Sequence, residues 1–110
     1  MRSFIKKASE TIAVSFDWTK EMEAIPDVPN ESACSVTNVT DETGSAPDLL
    51  SPITVPDLWV FPNGEIRCWL SGGVAGTVYY VKGEIVGTTP LGLAGPYRNA
   101  DILRIEVRAP

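Results

Sequence analysis

Apolar and polar positions alternate with period two along most of this chain, and that period predicts strands. From Thr11 to Trp18, Ile12, Val14, Phe16 and Trp18 fall on one face, and Thr11, Ala13, Ser15 and Asp17 on the other. Ser32 to Thr40, rich in Ser, Thr and Val, predicts a second strand. Ile53 to Phe61 predicts a third, interrupted by Pro56, which places it at an edge or a bulge. Glu65 to Leu70 sets Ile66, Cys68 and Leu70 against Glu65, Arg67 and Trp69. Thr77 to Val86 sets Tyr79, Val81 and Ile85 against Val78, Tyr80 and Lys82. Ile102 to Val107 closes the chain, with Leu103, Ile105 and Val107 facing inward against Arg104, Glu106 and Arg108.

Turn chemistry separates these runs. Pro62-Asn63-Gly64 is a tight-turn signal, because proline presets φ and Asn-Gly accepts positive φ. Ser71 to Gly76 is a glycine-rich hairpin loop. Lys20 to Pro29, Asp41 to Pro52 and Gly87 to Asn99 are read as loops or connectors, and no helix is expected. Six or seven short strands, each with one apolar face, are hidden when two sheets pack face to face. The fold class is therefore all-β, an antiparallel β-sandwich over residues 11–110 with long Pro/Gly-rich loops. Residues 1–10 are read as an N-terminal arm, with Phe4 and Ile5 beside Lys6 and Lys7.

A length of 110 residues suits one domain. The formal net charge of -5 argues against a nucleic-acid partner, which calls for a basic stripe, and against a polybasic membrane site. No stretch has the apolar length of a membrane span, and the basic N-terminus lacks the apolar core of a signal peptide. The chain has no histidine, which removes the Ser-His-Asp and Cys-His mechanisms. Its two cysteines, Cys34 and Cys68, lack zinc-site spacing. They read either as one disulfide or as two buried thiols.

The candidate chemical motifs dissolve on inspection. Gly72-Gly73-Val74-Ala75-Gly76-Thr77 lacks the lysine and the following helix of a phosphate loop. Asp17, Glu21 and Glu23 show no pairing suited to glycoside hydrolysis. Asp41, Glu42 and Asp48 lack the spacing of a calcium loop. The two sequons at Asn30 and Asn38 have no secretory signal ahead of them. No enzyme activity, cofactor or metal is expected. Trp69 beside Arg67, on the strand face away from the core, has the character of an interface anchor.

Three segments resemble a family of small virion proteins of tailed bacteriophages, of the fibre–tail adaptor type. They are Val14-Ser15-Phe16-Asp17-Trp18, the strand and turn from Cys68 to Tyr79, and the terminal strand Leu103 to Arg108. Together they cover about a third of the chain. The stretches Glu42–Pro52 and Thr88–Asn99 depart from the family by their length and proline content. The resemblance implies an immunoglobulin-like sandwich serving as a structural component of the particle. In that role it would join tail or neck proteins and fibres through protein contacts, in multiple copies. Its location would be the virion, assembled in the host cytoplasm, with other virion proteins (tail, neck, fibre or capsid) as partners and neither nucleic acid nor membrane. The candidate interface residues are Phe4, Ile5, Arg67, Trp69, Val74 and Ala75. A capsid decoration protein is the near alternative. A carbohydrate-binding sandwich, stacking sugars on Trp18, Trp59, Trp69, Tyr79 and Tyr80, is the more distant one.

Overall fold

Two β-sheets carry most of the described chain. The computed structural model describes residues 2–39, 58–90 and 95–109. In chain order the elements are β1 (Ser3–Lys7), β2 (Ile12–Asp17), α1 (Thr19–Ala24), a 3-10 turn (Glu31–Ala33), β3 (Ser35–Val39), β4 (Leu58–Val60), β5 (Glu65–Leu70), β6 (Val78–Pro90) and β7 (Pro96–Arg108). One sheet has the order β1-β7-β6-β3 and the other the order β2-β5-β4.

The alternation explains how the sheets meet. Val14 and Phe16 of β2 and Ile66, Cys68 and Leu70 of β5 are buried on one inner face. Tyr79, Val81 and Ile85 of β6 and Leu103, Ile105 and Val107 of β7 are buried on the other, and all join one core. The outward positions predicted for β2, β5, β6 and β7 are those that remain partly or fully exposed. Phe16 reaches across to the backbone of β6. A Cβ at Gly83 would lie 2.7 Å from its ring carbons, so the absent side chain is what admits the ring. The Phe16 and Trp18 rings stack with centroids 5.9 Å apart.

Residues 1–10, expected to form an arm, instead carry β1, which pairs parallel with β7 from Ser3 opposite Arg104 to Lys7 opposite Arg108. The sandwich is therefore antiparallel except at this edge. The two strands lie at opposite ends of the chain, so no hairpin dictates their direction. Phe4 packs against the core, and Lys6, the next inward position, is fully buried. A charge turned inward on an edge strand is a known guard against edge-to-edge association.

The stretch from Lys20 holds a helix where a loop is expected. α1 is only six residues, too short to display helical periodicity, but Lys, Glu, Met and Ala are good helix formers. Met22 anchors it, buried over Gly64. The second strand starts at Ser35 rather than Ser32, after the 3-10 turn. The Gly87–Asn99 connector is shorter than expected: β6 runs on to Pro90 and β7 begins at Pro96, with an irregular register between Val86 and Pro90. Of the Ile53–Phe61 strand, Leu58–Val60 is observed as β4; Pro56 and the Asp41–Pro52 connector lie outside the described residues. Cys34 and Cys68 are free and buried, which settles their alternatives in favour of thiols. No helix among the described residues is long and apolar enough to cross a membrane.

Candidate functional site

Among the described residues, the outer face of the three-stranded sheet carries two half-exposed tryptophans, Trp59 and Trp69. The Pro62-Asn63-Gly64 turn closes the β4–β5 hairpin, with Phe61 N donating to Glu65 O at 2.8 Å. That closure sets Trp59 opposite Arg67, and β2 sets Ala13 opposite Trp69. Trp59 and Trp69 are thus diagonal neighbours, roughly 7–8 Å apart by the usual geometry of an antiparallel pair. They are 48% and 39% exposed. With Ala13, Phe61, Arg67 and Cys68 they line an open groove of about 510 Å³, in which the small Ala13 side chain leaves room beside Trp69. The Arg67 guanidinium lies 4.7 Å from the Phe61 ring centroid and pairs with Glu65, so its charge is locally balanced.

The remaining expected interface residues lie elsewhere. Ile5, 56% exposed, and Val78 flank Glu106 in one row on the outer face of the four-stranded sheet. Ala75 joins Gly76, Val78, Glu106 and Arg108 around a shallow groove of about 450 Å³ at the end of that sheet. Val74, 50% exposed, sits in the loop between β5 and β6, its N–H donating to Tyr79 Oη at 2.8 Å. Phe4 is partly buried and packs against the core. The other five residues therefore form two groups: Arg67 with Trp69 on the three-stranded sheet, and Ile5, Val74 and Ala75 on or beside the four-stranded one. Trp18 and Tyr79 are buried, which removes them from any sugar-stacking platform. Trp59 was expected only as part of the sugar-stacking alternative, and Phe61 and Ala13 were not expected at all, although the turn signal with two-residue alternation already places Trp59 near Arg67.

The titrating groups with altered affinity are structural. Desolvation pushes the Asp27 carboxyl up, but hydrogen bonds from Thr88 Oγ1, the Val28 and Thr89 amides and Thr89 Oγ1 outweigh it and bring the group to about 2. Those bonds fasten the chain after α1 to the end of β6. Gly87 makes room for them, since a Cβ there would lie 2.3 Å from Asp27 Oδ2. Asp17 is lowered chiefly by the Thr19 amide, 2.9 Å from its Oδ1. Burial pushes the Cys68 thiol up to about 11. Burial also raises Cys34, although the Val86 N–H donates to its sulfur. Burial thus favours the protonated, less reactive thiol at both positions. Among the described residues no group of three or more His, Cys, Asp or Glu side chains is placed to hold a metal. Comparison with family models, curated proteins and solved structures finds no match to the chain.

Proposed function

We propose that this chain is a non-enzymatic structural component of a tailed bacteriophage particle, an adaptor joining tail or neck proteins and fibres. The observation that carries the contact role is the Trp59–Arg67–Trp69 face. Two half-exposed indoles beside a charge-balanced arginine, around a groove with an alanine floor, have the composition of an interface centre. The assignment to a phage particle rests on the resemblance of the β2, β5–β6 and β7 segments.

The immunoglobulin-like reading has two further supports. The order β2-β5-β4 opposite β7-β6-β3 corresponds to the B-E-D and G-F-C sheets of that fold, with β1 alongside the last strand. Tyr79, near the start of β6, accepts a hydrogen bond from Val74, five residues upstream. That is the arrangement of a tyrosine corner between the fifth and sixth strands.

The test is the copy number of the chain in the purified parent particle, by quantitative mass spectrometry against the major capsid protein. A ring on the order of 6 to 18 copies, as closed cyclic assemblies give, supports the adaptor. Hundreds of copies would favour capsid decoration. Absence from the particle would overturn both. The exposed indoles favour one second reading, a sugar-binding module, which glycan binding by the isolated chain in a tryptophan-dependent manner would establish.

A further inference from the structure

The loop Gly72–Gly76 carries three glycines at positive φ, Gly72 at 74°, Gly73 at 92° and Gly76 at 86°. Glycine backbones are permissive, so such a loop needs outside ties to hold one conformation. Three are present. Val74 N donates to Tyr79 Oη at 2.8 Å, and Gly76 N donates to Val107 O at 2.8 Å. The third comes from the far end of the chain, where Lys6 Nζ donates to Gly72 O at 2.8 Å across 66 residues of sequence.

That third tie is unlike the other two. Lys6 is 0% exposed. An ammonium has three protons, and here each meets a carbonyl: Gly72 O, Lys7 O at 2.8 Å and Ala8 O at 3.4 Å. Burying such a group is costly unless all its protons are satisfied. Two of the acceptors belong to the chain next to Lys6 and move with it; the third belongs to the loop. Displacing the loop strands a buried proton on β1, and undocking β1 removes a tie from the loop. Edge strands of this kind, held by one ladder, are where local opening concentrates.

We infer that β1 and the Gly72–Gly76 loop are one coupled unit, with Lys6 as the tie that makes the loop's conformation depend on β1 being docked on β7. The coupling is a property of the fold and stands without the contact reading. Its consequence for partners rests on that reading: a partner gripping Val74 and Ala75 would select the docked state and, by reciprocity, hold β1 in place.

Backbone amide hydrogen exchange on the full chain, read by NMR for the wild type and Lys6→Met, tests the coupling. Methionine keeps the apolar stem and cannot donate. The Val74 and Gly76 amides are expected to exchange about tenfold faster or more, the scale of one lost hydrogen bond to a charged group. Val81 and Ile105 in the sheet interior should keep their protection. Unchanged exchange at Val74 and Gly76 would overturn the coupling, and so would a uniform rise across every amide. If Lys6→Met does not fold, Tyr79→Phe perturbs the unit from the loop side. The Ala8 amide, which donates to Arg108 O at 2.9 Å, should then exchange faster. Unchanged protection of Ala8 in that variant would also overturn the coupling.

Discussion

Gly83 and Phe16 show how much of this core depends on one absent methyl group. The Phe16 ring occupies the space a side chain at Gly83 would need. Gly83→Ala should therefore destabilise the protein by about 1–3 kcal/mol, the usual cost of overpacking, read from the denaturant midpoint at unchanged slope. Asp27 makes a pH prediction. Its carboxyl is held at about 2 in the folded chain, below the ordinary value of 3.8. A depressed acid contributes stability that is complete above the unfolded value and lost as pH falls through the folded one. The melting temperature of the wild type should thus fall between about pH 4 and pH 2, and Asp27→Asn should flatten part of that fall. Asp17, lowered in the same direction, supplies some of the remainder. Cys34 and Cys68, both buried with raised thiols, should resist iodoacetamide in the native state at pH 7.5 and label fully in denaturant. Rapid native labelling of either would contradict the packing described for it.

At the scale of elements, the sequence was legible where local period and tertiary burial agreed. β2, β5, β6 and β7 alternate cleanly because each has one face on the shared core. It was misleading where they diverged. α1 was hidden because six residues make under two turns, and its stability comes from Met22 packing over Gly64 rather than from a repeating stripe. β1 was hidden because Lys6 reads as a surface charge, and only the carbonyls of Gly72, Lys7 and Ala8 make its burial acceptable. The extension of β6 past Val86 was hidden because Thr88 and Thr89 owe their place to Asp27, a contact spanning some sixty residues. Half of the candidate face was legible: Arg67 and Trp69 follow from alternation, whereas Phe61 and Ala13 enter through register. The account of α1 predicts that Met22→Ala costs about 2–5 kcal/mol, the range for truncating a buried methionine, in equilibrium unfolding.

At the scale of the whole molecule, the two sheets divide the work. The buried faces make one core, while the outer face of the three-stranded sheet keeps two half-exposed tryptophans at its surface. Half-exposed tryptophans of that kind, beside an arginine, are the anchors that dominate binding. The most direct measurement is the incorporation of a Trp59→Ala, Trp69→Ala double variant into the parent particle, scored against wild type by mass spectrometry. The variant's thermal stability is checked in parallel. The account predicts a protein that still folds but whose copy number in the particle falls at least tenfold. A folded double variant incorporated at the wild-type level would contradict it.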